Sequence, residues 1–127
     1  MFKKVHDKVW VFDCEWVPDP LSGRAVYDLP DSMSDKEVMS HMWEQGGATE
    51  EDPMPFLKTA LCRVVSIAAL TRTFINGKVN HRLLSLPRHP FSTENCREFV
   101  ILDAFLNAIG QHTPQLIGYI CNVSDIK

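Results

Sequence analysis

No stretch of the chain comes near the ~20 consecutive apolar residues that a bilayer-spanning helix needs, so no membrane role is expected. The four cysteines, Cys14, Cys62, Cys96 and Cys121, stand far apart. There is no Cys-x-x-Cys pair and no pair of histidines at zinc-ligand spacing, which excludes the common zinc modules. Residues Met1 to Lys8 are charged and lack the apolar core of a secretory leader. A disulfide framework is therefore not expected, and a reducing, cytoplasmic setting is. Basic excess is lacking too: the formal net charge is −3. Such a chain exerts no global attraction on a polyanion, so a nucleic acid would have to be held by a local basic patch or by bound cations.

What is present is an ordinary globular composition, 45% hydrophobic and 23% charged, in a length of 127 residues that suits one domain and can bury a real core. Residues Val9 to Val17 are dominated by β-branched and aromatic side chains and predict a strand. Both its faces are apolar, which predicts a central strand covered on both sides. Pro18-Asp19-Pro20 ends it. Ser32 to Glu44 is predicted helical: Ser34 and Glu37 have capping-box spacing, and Val38, Met39, Met42 and Trp43 fall on one side. Gly46-Gly47 stops that helix, and the acidic, proline-broken segment from Ala48 to Pro55 reads as a long insertion between strands. Leu61 to Phe74 and Val79 to Leu86 read as an antiparallel pair joined at Asn76-Gly77, a strong hairpin signal. A helix capped by Ser92 or Thr93 should then run to about His112, with Phe99, Leu102, Phe105, Leu106 and Ile109 facing the sheet. After Thr113-Pro114, Leu116 to Ile120 reads as a short fourth strand. Because the helix is a crossover, this strand should lie parallel to the first. The expectation is thus an α/β mixed sheet of three antiparallel strands, a crossover helix and a parallel fourth strand. With a helix on one face only, the open face invites self-association or a covering partner.

Asp13 and Glu15 carry the chemistry. In a strand, residues i and i+2 share a face and stand roughly 6.5–7 Å apart along the chain. Both lie on the side of Val9, Val11 and Val17, while Trp10, Phe12, Cys14 and Trp16 point the other way. Neighbouring carboxylates on an apolar strand repel one another and resist desolvation, and a divalent cation relieves both costs. Magnesium and manganese prefer such oxygen ligands. From the spacing alone, two acids that simply reach water at a strand end remain the commoner arrangement. Asp125 is a third candidate, placed after the fourth strand where it could approach Asp13; an Asp at a helix start is more often just a cap.

Several stretches together are more specific than Asp-x-Glu. They are Val9 to Val17, Met42-Trp43-Glu44, Gly46 to Pro53, Phe56 to Thr59, Arg63 to Ala68, and Thr113 to Tyr119. In these the chain resembles the predicted 3'-5' exonuclease family related to the proofreading domain of B-type DNA polymerases. That family is one of the DEDD enzymes of the ribonuclease H-like superfamily. The resemblance implies a ribonuclease H-like fold and hydrolysis of terminal phosphodiesters of single-stranded or frayed DNA. It implies two Mg²⁺ or Mn²⁺ ions about 3.5–4 Å apart. Asp13 and Glu15 would hold the metals, with Asp13 bridging them, and Asp125 would be the second-motif acid.

Two departures follow from the same resemblance. The family's third motif, a metal-binding Asp preceded by a Tyr or His, does not occur within these residues, so the expected fold is incomplete at the C-terminus and the expected nuclease weak or inactive. Ile120 also stands where an Asn follows the Gly-aromatic pair, with Asn122 two places on. The alternative class is a non-catalytic fragment or interaction module that keeps the partial fold. Among weaker signals, Trp16 is the best candidate to stack a base of a bound strand. Lys58, Arg63, Arg72, Lys78, Arg82 and Arg88 are candidates for phosphate contacts. Thr49 to Asp52 reads as a solvated acidic loop, and the five histidines read as surface or structural groups.

Overall fold

The computed structural model describes residues 6–118. The chain divides into two compact units, one formed by residues 1–15 with 64–127 and the other by residues 16–63.

The first unit is built on a four-stranded sheet. Strand β1 (Lys8–Pro18) passes out of this unit after Glu15, and β2 (Cys62–Ile75) belongs to it from Val64 on. Strands β3 (Lys78–Leu86) and β4 (Gln115–Gly118) complete the sheet in the order β3-β2-β1-β4. Three strands are antiparallel and the fourth is parallel, the ribonuclease H-like arrangement anticipated from the sequence. The β2–β3 hairpin pairs Ile75 with Lys78 at its tip and Ile67 with Leu86 at its base. Asn76 and Gly77 both have positive φ, 53° and 74°, as a two-residue turn matched to strand twist requires. The pairing of Val9 with Gln115 through Phe12 with Gly118 places β4 alongside β1.

Helix α3 (Glu98–His112) connects β3 to β4 across one face of the sheet. It starts later than Ser92 or Thr93 predicts. The Ser92 hydroxyl instead accepts from the Asn95 amide (3.0 Å) and its carbonyl from Cys96 (3.0 Å), closing a separate turn that spends the cap before the helix begins. Arg97 is the N-cap and offers no side-chain cap. Glu98 sits in the first turn, where a negative charge suits the helix dipole, and its carboxylate accepts from the Val64 amide at 2.5 Å.

The buried stripe of α3 also differs from the expected one. Ile101 is 1% exposed, whereas Phe99 is 70% exposed and Leu106 lies on the same solvent side. Residues 101, 104, 105 and 108 follow the helical period toward the sheet, and 99 and 106, seven apart, occupy the opposite side. Beneath α3 lie the alternating positions Ile67, Ala69 and Thr71 of β2, together with Trp10. The Thr71 hydroxyl, buried among them, donates to the Arg82 carbonyl at 3.3 Å. Cover on both faces is expected for β1; on the face away from α3, Val9 is buried, but Val11, Leu70, Leu83 and Ile117 are exposed.

The second unit holds a helix that the sequence reading passed over. Helix α1 (Pro20–Tyr27) begins at the prolines that, by sequence alone, only end β1. Asp19 caps it, accepting from the Leu21 amide (3.2 Å) and the Ser22 hydroxyl (2.9 Å), and Pro20 occupies the first turn, where a missing N–H costs nothing. Helix α2 (Asp35–Gln45) starts with the anticipated capping box: Ser34 accepts from the Glu37 amide and Glu37 from the Ser34 amide. Val38, Met42 and Leu61 form the core of this unit, ringed by Tyr27, Leu29, Met33, Met39 and Leu57. Helices α1 and α2 approach closely at Gly23, where a Cβ would meet the Met42 Sδ at 2.4 Å. Arg24 ties the two helices by pairing with Asp35 (2.8 Å) and donating to the Met33 carbonyl (2.7 Å).

Candidate metal centre

The orientation of the two acids is fixed by aromatic packing on the other side of their strand. The Trp10 ring lies 6.5 Å from Phe105 and 5.6 Å from His112, and the Phe12 ring lies 5.3 Å from Phe105, centroid to centroid. These contacts turn the even positions of β1 toward α3. Strand alternation then sends Asp13 and Glu15 together to the opposite, open face, as the sequence predicts. Asp13 is half-buried and Glu15 exposed. Neither carboxylate has a hydrogen bond or an ion pair with any described residue. The strand therefore holds two like charges side by side with no ion-pair partner among the described residues.

Among the described residues no three His, Cys, Asp or Glu side chains gather in a way that could hold a metal ion, so the pair stands as two oxygen donors. Asp125 lies outside the described residues. The last described residue of β4, Gly118, pairs with Phe12, immediately before Asp13. Two carboxylates fit the donor chemistry of a hard cation, which is commonly held by one or two carboxylates, with water and substrate phosphate completing its shell.

The weaker signals sort by geometry. Trp16 is half-buried and falls in the other compact unit. Glu50, Glu51 and Asp52 are exposed, in a turn closed by Asp52 donating to the Thr49 hydroxyl and Thr49 to the Asp52 carbonyl, both at 3.0 Å. Three histidines rest on aromatic rings: His41 on Tyr27, His112 on Trp10 and His89 on Phe91. In the second unit, burial pushes the Cys62 thiol above its ordinary range and the nearby Asp19 carboxylate adds to the effect. Reading the sequence missed a convergence of Arg82 and Arg88 beside one pocket under α3. The signal was available in the even positions of β3, since 82, 84 and 86 share a strand face.

A four-stranded mixed sheet with one crossover helix and a pair of strand-borne carboxylates defines an α/β protein of ribonuclease H-like architecture. A family described as predicted 3'-5' exonucleases related to the exonuclease domain of PolB matches residues 54–127, more than half of the chain, and the chain belongs to that family. The match takes in β2, β3, α3 and β4 and begins downstream of Asp13 and Glu15. No curated protein and no solved structure matches the chain.

Proposed function

We propose that this chain is a metal-dependent 3'-5' exonuclease domain that hydrolyses terminal phosphodiesters of single-stranded or frayed DNA, with Asp13 and Glu15 as its cation ligands. One observation carries the reading. Within a family of exonucleases, the central strand projects two adjacent carboxylates that no described residue neutralises. Asp13, half-buried, is the better-fixed donor, and Glu15, exposed, is the more adaptable one. Asp125 is proposed as the third ligand. When bound, Mg²⁺ or Mn²⁺ would supply water activation and stabilisation of the leaving oxygen. The residues' own tasks are to hold the cation, to fix its position against the sheet through the Trp10 and Phe12 packing behind it, and to present it to phosphate on an open face. With a net charge of −3, the chain depends on bound cations to bring a polyanion to this face.

The test is release of mononucleotides from a 3'-labelled single strand in Mn²⁺ or Mg²⁺. Weak, chelator-sensitive release that falls to background in Asp13→Asn and Glu15→Gln is expected. Release unaffected by both substitutions refutes the assignment. That only two carboxylates among the described residues meet at this site favours, as a second reading, a module that binds the cation without turnover. Saturable Mn²⁺ binding with no nucleotide release would establish that reading instead.

A further inference from the structure

The other side of the sheet carries a feature unrelated to the carboxylates. Between α3 and the β2–β3 hairpin lies a pocket of about 390 Å³. This is within the range of small-molecule sites, roughly 300–1,000 Å³. Its walls are apolar: Trp10, Ile67 and Leu84 from the sheet and Phe105 from the helix. Trp10 is only 6% exposed, and its ring is tilted 44° from that of Phe105, so two aromatic surfaces border the same space. The pocket exists because α3 turns the small residues Ala104 and Ala108 toward the sheet, leaving room that longer side chains would fill.

Arg82 and Arg88 also line it, and both are exposed, which places them at its mouth. Neither guanidinium has a hydrogen bond or an ion pair among the described residues. By contrast, Arg24 and Arg97 are each engaged by a carboxylate. No Asp or Glu is among the described residues that line the pocket. An apolar, partly aromatic interior closed by two unpartnered guanidinium groups matches one kind of ligand: a planar apolar body ending in an anionic head. Guanidinium recognises carboxylates, sulfonates and phosphates through paired N–H donors, and it stacks on aromatic faces.

We infer that the pocket between α3 and the β2–β3 hairpin binds a small aromatic organic anion, its rings against Trp10 and Phe105 and its anionic group at Arg82 and Arg88. The site stands apart from the proposed nuclease centre, since Trp10 faces α3 while Asp13 and Glu15 face the other way. Occupancy would leave the carboxylates untouched.

The probe is 1-anilinonaphthalene-8-sulfonate, an aromatic sulfonate, compared with its uncharged relative N-phenyl-1-naphthylamine. Fluorescence titration of the folded chain should show one saturable site for the sulfonate, at least tenfold tighter than for the neutral compound. Arg82→Gln with Arg88→Gln should erase that preference, both being exposed positions whose change leaves the fold intact by circular dichroism. Ala104→Leu or Ala108→Leu should fill the pocket and abolish binding of both probes. Equal affinity for the two probes, or binding indifferent to loss of both arginines, overturns the inference. So does sulfonate binding that disappears with rising protein concentration as sedimentation shows a dimer, which would assign the pocket to a second copy of the chain.

Discussion

Replacing Asp13 with Asn should stabilise the metal-free protein while removing its response to divalent cations. Two residues along a strand separate the acidic groups by roughly 6.7 Å. At that distance, two unit charges repel by about 0.6 kcal/mol in a water-like dielectric and by about 2.5 kcal/mol at an effective constant of 20. Glu15 is exposed and Asp13 only half-buried, which selects the lower figure, and salt screening trims it further. Neutralising Asp13 keeps the side-chain shape and no described donor loses a partner, so the gain is expected to be about 0.5 kcal/mol, or roughly 2 °C in melting temperature. The wild-type chain should in turn gain about 1.4 kcal/mol, roughly 5 °C, on going from chelator to a Mn²⁺ concentration ten times its dissociation constant. Asp13→Asn should show almost none of that rise. The assay is a thermal melt of both proteins with and without Mn²⁺, at low and high salt. If Asp13→Asn destabilises the metal-free chain by more than 1 kcal/mol, or keeps the full Mn²⁺ response, the carboxylate is performing a structural task and the charge argument fails.

Three further substitutions probe the second unit. In Gly23→Ala the new methyl would meet Met42 Sδ at 2.4 Å and Val38 Cγ1 at 3.1 Å. Met42 is 0% exposed, so overpacking should outweigh the helix-propensity gain and cost about 1–2 kcal/mol by urea denaturation, a penalty that should shrink when Gly23→Ala is made in a Met42→Ala background. At Cys62, burial and then the Asp19 charge both disfavour the thiolate. The folded chain therefore holds this proton more tightly than the unfolded chain does. The resulting stability is fully present below the unfolded thiol's pKa and is lost as pH rises through the folded one. Thiol-modification rates against pH should place Cys62 above a free cysteine peptide, and Asp19→Asn, which keeps a capping side chain for α1, should bring Cys62 part of the way down. A profile for Cys62 that coincides with that of the free cysteine peptide would refute the burial argument.

Signals that act within a few residues were legible in the sequence. The Ser34–Glu37 capping box, the Asn76-Gly77 turn and the strand of Val9 to Val17 each specify their own geometry, and all appear in the fold. The parallel placement of β4 followed from the crossover of α3. Competition between local signals was not legible. Asp19-Pro20 ends one element and starts another, and reading it as a stop hid α1. Ser92 is a good cap, but it is used in the turn before α3, and only the tertiary bond from Val64 to Glu98 marks where the helix begins. The facing of α3 depended on which of two overlapping apolar stripes met the sheet, a choice made by Trp10 and Ile67 rather than by the helix itself. At the site, the shared face of Asp13 and Glu15 could be read from period two alone. The placing of Arg82 and Arg88 beside one pocket required knowing that the small residues of α3 open that space.

The most direct measurement is a Mn²⁺ titration followed by amide NMR, because paramagnetic broadening reports where the ion sits. At substoichiometric Mn²⁺, the amides from Phe12 to Trp16 and those facing them across the sheet should broaden first, and Asp13→Asn should abolish the effect. Broadening centred on Thr49 to Asp52, or spread evenly over the acidic surface, would contradict a cation held by the β1 carboxylates.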